Sequence, residues 1–383
     1  MSSYFHTAAY LLTQALGVIA IIIVVRFGKG TLGVGWIAGV LLVQGWGATL
    51  FTLVTPTLSS RVWTASVIEG LKGGSKGLAV ALGLAVLMFS LPRSEEWVTA
   101  ASNLTAPWTM WFLAIGAFRA FAQVLSTFLV RDQRHSWMHR FQLPGRFMEG
   151  GVVVGSAYLG NPYIFAAGWA IYPIAQLAAL GMHPWRLREG SKREVQQSEE
   201  QGHGRTLGER VATLCCLISD LIVPTVWMRL GGEITFLAYR AITSALSNAV
   251  LLPRYWHVVA SLQKRQVSHQ MTLFVVVVSL IVALISEVGT DAIPANIIGL
   301  SMIPLILNAV GANRFSSVRQ DCLHRGDLLA PAAAILGGRM AELALLVVIA
   351  WMAPSMKGAE ILAYSAFAVS TLVLVKVSKR GGQ

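Results

Sequence analysis

Apolar segments of roughly 18 to 25 residues recur along this chain, each closed by charged residues or by Gly and Pro. That is the length an α-helix needs to cross the hydrocarbon core of a bilayer, ~30 Å thick at ~1.5 Å per residue. Inside lipid, backbone hydrogen bonds must be met within the chain, so repeated segments of this kind specify helices. Twelve are expected, near 8–26, 32–55, 77–92, 104–130, 143–161, 162–182, 208–230, 234–253, 270–286, 291–312, 329–353 and 358–377. No basic residue precedes the first and no small-residue cleavage site follows it, so it is expected to stay in the mature protein. Composition agrees: charged residues make up 13% of the 383 and mean hydropathy is +0.62, against about 25% charged in a soluble domain. The expected fold is an all-α polytopic membrane protein of about twelve transmembrane helices.

The formal charge of +12 raises the question of a nucleic-acid partner, but the basic residues are spread over short loops rather than gathered on one domain. Membrane topology accounts for them. Loops after even-numbered spans, with the C-terminal tail, hold 22 of the 30 Lys and Arg, and loops after odd-numbered spans hold five. By the positive-inside rule the even loops and both termini are expected to be cytoplasmic in a multi-pass protein. The one sizeable polar stretch runs from His183 to Arg210, at the midpoint. It reads as a linker, 183–207, between an N-terminal six-helix lobe, 1–182, and a C-terminal one, 208–383.

Three arginines fall inside apolar segments, Arg119, Arg240 and Arg339, and three acids lie at or near membrane depth, Glu149, Asp220 and Glu342. Intramembrane charge is costly and marks a functional pathway by default; snorkelling or a packing ion pair is the bland alternative. The pentapeptide G-R-x-x-E occurs twice, as Gly145-Arg146-Phe147-Met148-Glu149 and Gly338-Arg339-Met340-Ala341-Glu342. Arg three residues before Glu lies on the same helix face, so the two can satisfy each other where either alone would be unfavourable. Arg119, Arg146, Arg240 and Arg339 are therefore candidate binders of an anionic substrate, pyrophosphate above all, whose oxygens suit the guanidinium fork. Glu149, Asp220 and Glu342 are candidate ion-pair or coupling residues.

The two halves compare span for span. Spans one and seven end in Arg26-Phe27-Gly28 and Arg229-Leu230-Gly231; spans four and ten end in Val130-Arg131-Asp132-Gln133 and Val318-Arg319-Gln320-Asp321; spans five and eleven carry the twin pentapeptides. Six helices per half make the repeats parallel, with a charged cavity expected between them.

The 6+6 layout, the run Arg26-Phe27-Gly28-Lys29-Gly30-Thr31-Leu32-Gly33 and its counterpart Arg229-Leu230-Gly231-Gly232-Glu233 with Tyr239-Arg240-Ala241-Ile242 resemble the polysaccharide flippases (O-antigen and lipid-linked oligosaccharide translocases) of the multidrug/oligosaccharidyl-lipid/polysaccharide exporter superfamily. The resemblance implies alternating access and export of an undecaprenyl-pyrophosphate-linked glycan. Membrane lipids and a coupling ion, proton or sodium, would be its partners.

No phosphate-cradling loop, nucleophile elbow or metal-ligand spacing appears, and Cys215, Cys216 and Cys322 read as packing residues. No cofactor, metal or catalytic residue is expected, and the gradient or membrane potential takes the place of a nucleotide site. The alternatives are a multidrug extruder of the same superfamily, for which acidic cavities are expected, a membrane-embedded glycan polymerase or acyltransferase, for which a large outer loop is expected, and a scaffold. Pro173, Pro224, Pro294 and Pro304 permit kinks. Most Trp read as an interfacial belt, with Trp36 and Trp46 the candidates for sugar stacking. Gly150-Gly151 and Gly337-Gly338 suggest close helix packing.

Overall fold

The computed structural model describes residues 2–55, 66–90, 102–131, 134–182, 211, 213–215, 217–230, 232–233, 236–237, 240 and 329–352. The linker, spans nine, ten and twelve, and most of span eight lie outside them. The described elements are α1 (Ser2–Gly28), a π-helical segment (Lys29–Gly33), α2 (Val34–Val54), α3 (Val67–Ser90), α4 (Ala106–Arg131), α5 (His135–Leu159), α6 (Pro162–Gly168), α7 (Ile171–Gly181), a π-helical turn (Ile218–Ile222) in span seven, and α8 (Leu329–Met352). Among the described residues there is no strand, and four helical runs are long and apolar enough to cross a membrane: Ala15–Val54, Val67–Ser90, Ala106–Leu129 and Pro162–Gly181. The protein is an all-helical polytopic membrane protein.

The run Ala15–Val54 is 40 residues, about twice one crossing. It is divided at Gly33, where φ of 89° takes the backbone into a conformation that only glycine adopts without strain. The third helix begins at Val67 rather than near 77, because Ser66 and Glu69 close a reciprocal cap that starts it earlier. Ser66 N–H donates to Glu69 Oε2 at 2.9 Å, and Glu69 N–H donates to Ser66 Oγ at 3.2 Å. The fifth begins at His135 rather than near 143. Its polar first turns are accommodated by burying His139 and Gln142, and Pro144 is carried inside the helix. As a result Arg146 and Glu149 sit near the middle of α5, not at the start of a span.

The α2–α4 contact is backbone on backbone. A Cβ on Gly47 would stand 2.0 Å from the Leu113 carbonyl oxygen, and one on Gly116 would stand 2.1 Å from that of Gln44. Such an approach is open only to residues without side chains. Around it lies a core of Ile37, Leu42, Leu104, Phe112 and Phe165, with Trp36 edge-on to Trp108, Phe112 and Phe165 at 5.3–5.8 Å. α4 also packs on α3 and α7, while α5 lies between α1 and α7. Three of the intramembrane charges, Arg119, Arg146 and Glu149, gather where α4, α5 and α7 meet.

Candidate functional site

The sixth span is not one helix, and its break builds the site. Gly160, at φ 67°, ends α5; Asn161 then caps α6, its Oδ1 accepting from the N–H groups of Tyr163 and Ile164, both at 3.1 Å. α6 stops at Gly168 and α7 starts at Ile171. Pro173 has no N–H to return to the carbonyl of Trp169 four residues back, so that oxygen is available to a side chain. Arg119 of α4 takes it, donating from Nη1 at 3.3 Å. In the first turn of α7 the Tyr172 N–H has no intrahelical acceptor, and it donates to Glu149 Oε2 at 3.1 Å. The carboxylate thus lies at the positive end of α7.

The other oxygen of Glu149 is shared by two cations. Oε1 accepts from Arg119 Nη1 at 3.1 Å and from Arg146 Nη1 at 2.8 Å. Each guanidinium also lies on an aromatic face from span six: Arg119 is 4.9 Å from the ring centre of Trp169, and Arg146 is 4.4 Å from that of Tyr172. Behind Arg146 stands Gly17 of α1, so close that a Cβ there would meet Nη2 at 2.1 Å. Glu149 is buried and the two arginine side chains nearly so, with 21% and 13% of their surface exposed. Two cations and one anion leave this trio at a formal +1.

The second pentapeptide forms its own pair in α8, Arg339 Nη1 to Glu342 Oε2 at 2.6 Å. Glu342 is fully buried, and its Oε1 accepts from Trp227 Nε1 of span seven at 2.9 Å. Both Arg–Glu pairs are thus covered by a residue of another segment: Gly17 of α1 stands over Arg146, and Trp227 bonds Glu342.

Two contacts join segments distant in sequence: Trp46 Nε1 of α2 donates to Thr225 Oγ1 at 3.1 Å, and Asn103 Nδ2 donates to Glu233 Oε1 at 2.6 Å. Trp46 is buried in that contact, so the expectation that it stacks on a sugar ring is corrected; Trp36 is likewise engaged by its aromatic neighbours. Among the described residues Gly150 and Gly151 do not mediate close packing either: none stands within 4 Å of a Cβ on Gly151, and one on Gly150 meets Ala20 at an ordinary 3.6 Å. Close packing falls instead on other described glycines, among them Gly39, Gly47 and Gly116 against backbone and Gly70, Gly77 and Gly145 against side chains.

Of the residues expected from the sequence, Arg119, Arg146 and Glu149 come together, as do Arg339 and Glu342. Asp220 lies in the turn Ile218–Ile222 with its side chain outside the described residues, and Arg240 is partly buried at the described end of span eight. Trp169, Tyr172, Gly17 and Trp227 were not foreseen as members. Among the described residues, no group of three His, Cys, Asp or Glu is placed to hold a metal ion.

No protein-family model matches the chain, and no curated protein matches it. Two solved structures resemble it in outline. One is a proline-to-alanine mutant of a MATE protein, at 11% identity and a TM-score of 0.48 over 98% of this chain and 93% of that one. The other is an inward-facing conformation of a multidrug resistance MATE family transporter of the MOP superfamily, at 12% identity and 0.46 over 96% and 93%.

Proposed function

We propose that this protein is a secondary-active flippase, carrying an anionic lipid-linked precursor such as an undecaprenyl-pyrophosphate-linked glycan across a bacterial inner membrane by alternating access of two six-helix lobes. Both termini and the 183–207 linker are cytoplasmic on this reading, following the uneven distribution of Lys and Arg. A proton or sodium gradient, or the membrane potential, drives it.

The observation that carries the proposal is the sharing of Glu149 by Arg119 and Arg146 among apolar helices. A packing pair needs one cation per anion; the second guanidinium leaves excess positive charge at membrane depth, where charge is retained for function. Guanidiniums are suited to the oxygens of a phosphate group, and excess positive charge disfavours the cationic substrates of a drug extruder.

The test is reconstitution of the full chain in proteoliposomes carrying a fluorescent polyprenyl-pyrophosphate disaccharide, with translocation followed by quenching from one leaflet. Arg119→Gln and Arg146→Gln are each expected to slow translocation about tenfold or more, one lost charge-assisted contact being worth ~1.5–3 kcal/mol. Unchanged translocation in both variants, or efflux of a cationic dye by the parent chain that is lost in Glu149→Gln, would overturn the reading in favour of an extruder.

A further inference from the structure

We infer that Glu149 is a resident stand-in for the substrate's anion: its carboxylate occupies the two guanidiniums between transport events and yields them when a phosphate or diphosphate group arrives. The inference rests on the transport reading above and specifies how that site takes its ligand.

Three observations meet here. First, Glu149 Oε1 receives Nη1 of arginines from two different helices, while Oε2 is held separately by the backbone N–H of Tyr172. The carboxylate is therefore anchored by an oxygen the arginines do not use. It can release them and still keep its place at the start of α7, where the helix favours negative charge.

Second, the site holds more donors than the carboxylate can satisfy. Arg146 Nε and Trp169 Nε1 are buried and have no acceptor among the described residues. Trp169 is only 4% exposed, and the Arg119 guanidinium lies against its ring. Buried donors are nearly always paired, so two in one cluster mark a site short of acceptor oxygens. A phosphate group brings more oxygens than a carboxylate and meets a guanidinium edge-on through two N–H groups at once.

Third, the charges fit. With Glu149 in contact the trio is at +1, an excess that a single carboxylate does not neutralise and an incoming anionic group can. A phosphate or diphosphate ester brings negative charge and oxygens that both guanidiniums can take. Arg146 is held for the exchange by its surroundings rather than by Glu149 alone, since the Tyr172 ring lies on one side and the α1 backbone at Gly17 stands close by.

The exchange is tested on the purified full chain by equilibrium dialysis against radiolabelled inorganic pyrophosphate and, separately, a short-chain polyprenyl pyrophosphate. Glu149→Gln keeps the shape and an acceptor for the Tyr172 N–H but removes the competing charge. It is expected to bind pyrophosphate roughly tenfold tighter or more, the lower end of what a charge-assisted hydrogen bond contributes. Adding Arg119→Gln to that variant is expected to abolish the gain. A gain in both ligands assigns the site to phosphate chemistry as such, and a gain confined to the polyprenyl compound assigns it to a lipid headgroup. Affinity in Glu149→Gln equal to or below that of the parent, in protein that elutes as a monodisperse peak, overturns the inference. Should that variant fail to fold, Glu149→Asp draws the carboxylate back by one methylene and is expected to give a smaller gain; no gain there overturns it equally. Slower translocation in Arg119→Gln with no gain in Glu149→Gln defeats the exchange alone, whereas normal translocation in both Arg119→Gln and Arg146→Gln defeats the transport reading beneath it.

Discussion

Replacing Gly17 by Ala reverses the usual sign of a helical glycine substitution. In an ordinary helix interior the change stabilises by about 1 kcal/mol, because Ala loses less conformational freedom on folding. At position 17 the added Cβ would lie 2.1 Å from Arg146 Nη2 and 2.6 Å from both Cζ and Nε. A free arginine would swing aside. This one is held by Glu149 at 2.8 Å and by the Tyr172 ring at 4.4 Å, so displacing it breaks a charge-assisted hydrogen bond and a cation–π contact. Those contribute about 1.5–3 and 0.5–1 kcal/mol. Set against the propensity gain, the net is a destabilisation of about 1–3 kcal/mol. Gly151→Ala is the control. It lies on the exposed side of α5 with none of the described residues near its Cβ position, and it should show the ordinary gain of up to ~1 kcal/mol. Thermal unfolding of the purified chain in one detergent measures both. In an Arg146→Ala background the obstruction is gone, and Gly17→Ala should become neutral or stabilising. If Gly17→Ala is as stable as Gly151→Ala, or if its cost persists without Arg146, then the guanidinium does not rest on α1.

Two further outcomes are expected. Arg339→Gln and Glu342→Gln should each cost about 3–5 kcal/mol by removing one charge of the pair and not the other, more than the double variant, which removes both; additive losses in a double-mutant cycle would mean that the two do not touch. Cysteines introduced at Ser198 and Gln383 should resist an impermeant thiol reagent in intact cells, and labelling of either from outside would reverse the topology.

Sequence alone determined the class of this protein and the local chemistry of its charges. Long apolar segments leave helices as the structure that satisfies backbone hydrogen bonds in lipid, and three-residue spacing places Arg146 with Glu149, and Arg339 with Glu342, on common helix faces; both properties are local. The early start of α3 was local as well, written in Ser66 and Glu69, but obscured by the charges of Lys72 and Lys76. Tertiary structure decided which distant groups complete each site. Arg119 reaches Glu149 only because α4 and α5 flank the broken sixth span, and the break matters because Pro173 leaves the Trp169 carbonyl to an arginine while Tyr172 offers its N–H to the carboxylate. Gly17 and Trp227 carry no signal of their role, since closeness to Arg146 or Glu342 depends on how helices more than a hundred residues apart in sequence are packed. Periodicity specifies the face a residue occupies on its own helix; the neighbour across that face is set by the packing of all the helices together, which no local pattern encodes.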